Sequence, residues 1–324
     1  MLHTFLTTSW GLRYPVISAP MAGAAGGRLA RAVSQAGGLG MIGIGSQTPV
    51  EYITREAALA RGDDEGLFGI GLMTWALEAR PELLEAAIQA RPFLISISFG
   101  SPAPYIEQVQ RQGIRVATQV HSRAEATEAA QAGIDLIVAQ GTEAGGHTGQ
   151  VSTLPLLQIV LEAVQTPVLA AGGIASPRGV AAALAAGAEG VWVGTRLLAT
   201  EESATSELAR ARLLQAQETE TIHTRVFDLA QGLAWPAHFP GRALRNRFTD
   251  QWDAQAEALR EDAQARQQLA EAIKQKDYDL AVIYAGEGVA LVTRQESAGD
   301  VIRQLGDGAE QLLHARYQAL MEKR

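Results

Sequence analysis

At 324 residues the chain exceeds a minimal module and suits either two average domains or one large barrel. Apolar residues make up 47% and charged residues 19%, globular values that exclude a disordered chain, and a net charge of −8 excludes a general footprint for nucleic acid. The absence of cysteine rules out disulfides, thiolate metal sites, iron–sulfur clusters and a cysteine nucleophile. Met1–Tyr14 has no basic stretch followed by an apolar run, and no segment holds eighteen uninterrupted apolar residues, so a soluble, cytoplasmic protein without a membrane partner is expected.

From Pro15 to about Thr200 one plan repeats: a short apolar run, then an Ala-rich amphipathic stretch, broken by Gly or Pro. The expected strands are Val16–Ala19, Met41–Ile44, Phe68–Leu72, Leu94–Ser98, Arg115–Gln119, Leu136–Ala139, Val168–Ala171 and Gly190–Val193. Between them the pattern predicts helices at Leu29–Ala36, Pro49–Ala60, Pro81–Ala90, Pro104–Gln112, Arg123–Ala132, Leu154–Ala163 and Pro177–Ala186, several opened by proline and closed by glycine. Eight βα units favour a closed α/β TIM barrel, (β/α)8, over an open doubly wound sheet. Beyond Thr200 the character changes. Residues 1–204 are expected to form the barrel, 205–275 a smaller helical lid or substrate domain inserted before the C-terminal segment, and 276–324 a segment packing back on the barrel, with a final helix at Ala309–Lys323.

Four segments carry candidate chemistry. Gly38-Leu39-Gly40-Met41-Ile42-Gly43 has the spacing of a dinucleotide fingerprint, but it follows a helix and enters a strand, the reverse of what that mechanism needs. Gly172-Gly173 after the seventh strand and Gly194-Thr195 after the eighth occupy the loops where such barrels commonly bind phosphate through bare backbone N–H groups. The loop after the sixth strand, Gln140-Gly141-Thr142-Glu143-Ala144-Gly145-Gly146-His147-Thr148-Gly149, brings four glycines, neutral hydrogen-bonding groups and a histidine to the face where barrel active sites lie. His147 is the candidate catalytic residue, Glu143 a brace for the loop, and no metal site is expected, whereas His3, His121, His223, His238 and His314 lack such a setting. Met21, ending the first strand, places a soft side chain at the same mouth, suited to packing on a planar cofactor.

Ala19-Pro20-Met21-Ala22-Gly23, Gln140–Gly149, Ala170–Ile174 and Val193–Thr195, with Phe239–Asn246 and Tyr284–Gly288 further on, resemble the nitronate monooxygenases, also called 2-nitropropane dioxygenases. The resemblance spans nearly the whole chain. It implies an FMN-dependent flavoprotein monooxygenase, an oxidoreductase that oxidises alkyl nitronates or nitroalkanes with O2 to carbonyl compounds and nitrite. Gly172, Gly173, Gly194 and Thr195 would hold the FMN phosphate, Met21, Gln140 and Gly145 would lie by the flavin, and His147 would act as base or orient the nitronate. One position departs. Where the family often carries an asparagine after the third strand, this chain reads Gly71-Leu72-Met73-Thr74. The same loops would serve an FMN-dependent enoyl-thioester reductase using NAD(P)H, or a phosphate-ligand barrel without catalysis. A homodimer is compatible with all three.

Overall fold

The computed structural model describes residues 2–321. Strands β1 (Val16–Ser18), β2 (Met41–Gly43), β3 (Gly69–Met73), β4 (Leu94–Ser98), β5 (Arg115–Val120), β6 (Leu136–Gln140), β8 (Val168–Ala171) and β9 (Val191–Val193) form one parallel sheet. Its order is β1-β9-β8-β6-β5-β4-β3-β2. A bridge from Ile17 to Leu39 joins its edges, and Ser18 Oγ accepts the N–H of Met41 at 2.8 Å across the same seam. The result is the (β/α)8 barrel expected from the repeat, since eight amphipathic helices can bury their apolar stripes only by ringing a sheet closed on itself.

Side chains alternate along each strand, so one sequence builds two cores. Ile137 and Ala139, like Ile95, Ile97 and Val116, face the surrounding helices, while Leu136, Val138, Leu94, Ala117, Leu169 and Trp192 fill the barrel. The inward phase of β6 therefore ends at Gln140, opposite Ala171 of β8. Several large side chains in these clusters are fully buried, each worth roughly 1.5–3 kcal/mol.

The final helix is longer than the sequence suggests. It runs Ala298–Met321; the expected positions 322 and 323 lie outside the described residues. Gly299, Gly306 and Gly308 sit inside it. A side chain at Gly306 would stand 2.0 Å from the Tyr14 ring, and one at Gly308 would meet Pro177 at 2.8 Å, so close helix packing explains both. Val301, Ile302, Leu305 and Ala309 lie on one stripe of this helix and seal the barrel beside Gly27–Gln35 and Pro177–Ala185.

Residues 205–275 carry helices at Glu207–Gln215, Val226–Gln231, Arg247–Trp252 and Ala263–Gln275. They also contribute two strands that short polar runs did not announce, β10 (Thr221–Thr224) and β11 (Gly241–Leu244). These pair antiparallel with each other, and β11 pairs with β7 (Gly146–His147), a two-residue strand inside the loop after β6. A three-stranded sheet thus ties the later segment directly to the barrel mouth. Phe227, Phe248, Trp252, Leu259 and Leu269 form a separate core, joined by Leu280, Val282 and Tyr284.

Candidate active site

The loop after β6 is held by backbone contacts that its glycines permit. A side chain at Gly141 would strike Thr153 at 2.3 Å, and one at Gly145 would strike Ala285 and Gly286 at 2.7 Å. Gly146 turns with φ +74°, a conformation costly for other residues. The Arg242 Nε–H donates to the Thr142 carbonyl at 2.7 Å, and the same guanidinium pairs with Glu287 at 3.1 Å. Glu143 braces the loop, accepting the Thr153 N–H through Oε1 at 3.3 Å. His147 is thereby pinned on β7, opposite Gly241.

Around the His147 ring the partners come from three distant segments. Both oxygens of Asp228, on Val226–Gln231, lie 3.0 Å from Nε2, and both side chains are buried. A carboxylate only accepts, so Nε2 carries the proton and Nδ1 is the nitrogen with a free lone pair. No protein group hydrogen-bonds Nδ1 among the described residues. The Trp235 ring stacks on the imidazole at 3.4 Å and 6°, and the Tyr284 ring lies 5.5 Å away. Burial first, and then the Asp228 charge and its hydrogen bond, push the Tyr284 phenol well above its ordinary value. Tyr284 therefore stays protonated beside Asp228. A side chain at Gly241 would come within 2.9 Å of Tyr284 and 3.4 Å of His147 Nε2, so the bare backbone there makes room for the dyad.

A second histidine, set aside in the sequence for want of a suitable context, belongs to the same mouth. His121 directly follows β5, is buried, and faces Glu125 with Nδ1 at 3.1 Å and Gln140 Oε1 with Nε2 at 2.8 Å. Burial would raise the Glu125 carboxyl, but hydrogen bonds from His121 and Ser122 and the His121 charge outweigh it and hold the group below its ordinary range. Phe99 stacks near His121 at 5.8 Å and meets Trp235 and Phe239 edge-on at 4.9 and 5.5 Å; Trp75 completes the wall against Trp235 at 5.2 Å. Phe99 has φ +67°, a strained backbone for a bulky residue, here at the end of β4. At the departing position after β3, Thr74 is buried and donates to the Ser98 carbonyl at 3.0 Å, so it ties β3 to β4.

Across the mouth lies a row of bare backbone. Gly172 and Gly173 turn with φ +107° and +68°, and the N–H groups of Gly172, Gly173, Gly194 and Thr195 have no acceptor within the described protein. Nothing stands closer to the missing side chain of Gly194 than Ala19 at 3.4 Å and the Met21 sulfur at 3.5 Å. Thr195 Oγ1 accepts the Gly286 N–H at 2.9 Å, which leaves its own hydroxyl proton to donate. Several unpaired donors suit an anionic oxygen cluster such as a phosphate, and the Glu143 carboxylate, 3.1 Å from where a Gly173 side chain would start, borders the row on one side.

The fold therefore brings His147, Gln140, Met21, Gly172, Gly173, Gly194 and Thr195 to one mouth, with Met21 beside Gly194. Gly145 serves as the seat for residues 285–286. Asp228, Tyr284, Trp235 and His121 escaped the sequence. Asp228 and Tyr284 lie 81 and 137 positions beyond His147; Asp228 sits in a segment with no motif of its own, and Tyr284 opens the Tyr284–Gly288 motif without any local sign that it would face His147. His121 had only one local sign, a carboxylate four residues on.

A closed parallel barrel with a buried His–Asp dyad and a row of unpaired main-chain N–H groups at its mouth has the form of an α/β-barrel enzyme site. The chain belongs to the nitronate monooxygenase family, whose model matches residues 3–65 and 74–308, breaking at the stretch that ends in Met73. It is 40% identical over 233 residues to "Putative monooxygenase Rv1533" of Mycobacterium tuberculosis, covering 68% of this chain and 60% of that one. It is 34% identical to "(3aS,4S,5R,7aS)-5-hydroxy-7a-methyl-1-oxo-octahydro-1H-indene-4-carboxyl-CoA dehydrogenase" of Rhodococcus jostii, covering 70% of this chain and 64% of that one. These two alignments span under two thirds of each relative's length. Among solved structures, nitroalkane oxidase from Streptomyces ansochromogenes superposes with a TM-score of 0.82 at 28% identity, over 94% of this chain and 98% of that one. No helix among the described residues is long and apolar enough to cross a membrane.

Proposed function

We propose that the protein is an FMN-dependent nitronate monooxygenase, oxidising alkyl nitronates or nitroalkanes with O2 to carbonyl compounds and nitrite. The observation that carries this reading is the His147–Asp228 dyad with Nδ1 open, beside a cradle of unpaired N–H groups. Gly172, Gly173, Gly194 and Thr195 would hold the FMN phosphate, and Met21 and Gln140 would border its ring. Bound there, FMN supplies the capacity to take electrons from the substrate and pass them to O2.

The chain's own residues do the proton chemistry. Nδ1 of His147 takes the acidic α-proton of a nitroalkane, and Asp228 stabilises the imidazolium and fixes the ring. A nitronate delivered already ionised needs only the second service, a charged donor that orients its oxygens. Trp75, Phe99, Trp235 and Phe239 exclude water around the ring, and residues 205–275 cover the mouth as a substrate domain.

The test is to mix the FMN-loaded enzyme anaerobically with propionate-3-nitronate, nitroethane, NADH and NADPH separately and follow the visible flavin absorbance. Bleaching by the nitronate supports the reading. Bleaching by a pyridine nucleotide alone, with return of colour on an enoyl thioester, would replace it by thioester reduction, the reading favoured by a relative whose name carries a CoA thioester.

A further inference from the structure

Gln140 ends β6 with its side chain directed into the barrel, since it continues the phase of Leu136 and Val138. It is 6% exposed, yet only one end of its carboxamide is used: Oε1 meets His121 Nε2, and no protein acceptor faces its NH2 group among the described residues. An amide pinned at its oxygen, with an NH2 that is unpaired yet not sealed from solvent, is a prepared hydrogen-bonding group.

What holds it is a relay. Nδ1 of His121 faces the Glu125 carboxylate, which can only accept, so Nδ1 donates. Nε2 meets the Gln140 amide oxygen, an acceptor, at 2.8 Å, so a proton on Nε2 is what holds the carboxamide in this orientation. Glu125 is itself fixed, accepting the His121 N–H at 2.9 Å and the Ser122 hydroxyl at 3.2 Å. Elsewhere around the ring stand Phe99, Phe239 and the backbone of Gly149, where a side chain would lie 2.5 Å from His121 Cβ. None of these hydrogen-bonds the imidazole nitrogens, which Glu125 and Gln140 already occupy. Were His121 absent, the carboxamide could turn and present its oxygen to the mouth instead.

We propose that His121 is a positioning residue: through Gln140 Oε1 it fixes the carboxamide so that its NH2 faces the barrel mouth as a donor to the flavin ring. This rests on the FMN reading above. Unlike those of His147, both ring nitrogens of His121 are taken by protein groups, Glu125 and Gln140, so its effect passes through Gln140.

The experiment uses the full chain loaded with FMN and compares the parent, His121→Phe, His121→Gln, Gln140→Ala and the double variant His121→Phe/Gln140→Ala. His121→Phe is expected to weaken FMN roughly tenfold, the size of one lost hydrogen bond, and to shift the visible flavin band. His121→Gln, which can still donate to Oε1, should restore both within about threefold. The double variant should be no worse than Gln140→Ala alone, the mark of one residue acting through the other. Additive losses, or a His121→Phe protein with parental affinity and spectrum, would overturn the inference. If His121→Phe does not fold, Glu125→Ala interrupts the same relay and must show the same spectral shift. A parent that takes up no FMN would defeat the cofactor reading itself, an outcome separate from a failure among the variants.

Discussion

The nitrogen that matters at His147 is chosen by its neighbour. Because Asp228 occupies Nε2 with both oxygens at 3.0 Å, basicity is directed to Nδ1. His147→Ala should keep FMN, visible as a yellow protein, yet lose nitroalkane turnover by roughly 10²–10⁴-fold, measured by nitrite release. Preformed nitronates should suffer less, since their proton has already gone. Asp228→Asn should also retain FMN while lowering kcat for nitroalkanes by about 10²–10⁴-fold, because an amide can stabilise the wrong tautomer. Parental turnover in Asp228→Asn would mean that the carboxylate is only structural. His147 itself was legible in the sequence from its glycine-rich setting. Asp228 was not, since a lone aspartate within an apolar helix carries no local sign of its partner.

Among the elements, the junction between β9 and the final helix is held by charge. Glu296 accepts from Arg294 at 2.8 Å and from Gln304, and pairs with Arg196 on Thr195–Leu198. The hydrogen bond from Arg294 leads, followed by those from Gln304 and Arg196 and the Arg196 charge; together they overcome burial and hold the Glu296 carboxyl at about 2. Its pKa is lower folded than unfolded, so its contribution is complete above the unfolded carboxyl's range and fades as pH falls towards 2. Glu296→Gln should therefore lower Tm at neutral pH and flatten the acid limb of the stability curve below about pH 4.5, read by thermal melts at stepped pH. A variant whose acid limb matches the parent's would remove Glu296 from that dependence. The helices and strands of the barrel were readable here because period and punctuation agree. β10 and β11 were not, because four-residue strands such as Thr221–Thr224 gain their stability from each other and from β7 rather than from local preference.

For the whole molecule, a ligand that binds only the folded mouth must stabilise the entire barrel. FMN at about 100 times its Kd should add about 2.7 kcal/mol and raise Tm by several degrees. Gly194→Val should abolish most of that rise while leaving the apo Tm close to parental, since the space at Gly194 is open on the ligand side. Equal FMN-induced shifts in both proteins would place the phosphate elsewhere.

The repeat of apolar run, amphipathic stretch and glycine was enough to determine eight strands and a barrel, because those signals are local and each helix has one face to bury. The glycine-rich turns likewise announced where backbone would be left bare. Only the tertiary structure decided that Asp228, Tyr284 and Trp235 converge on His147, and that His121 holds Gln140. Those contacts join segments far apart in the chain, and a hydrogen bond between distant residues leaves no periodicity behind.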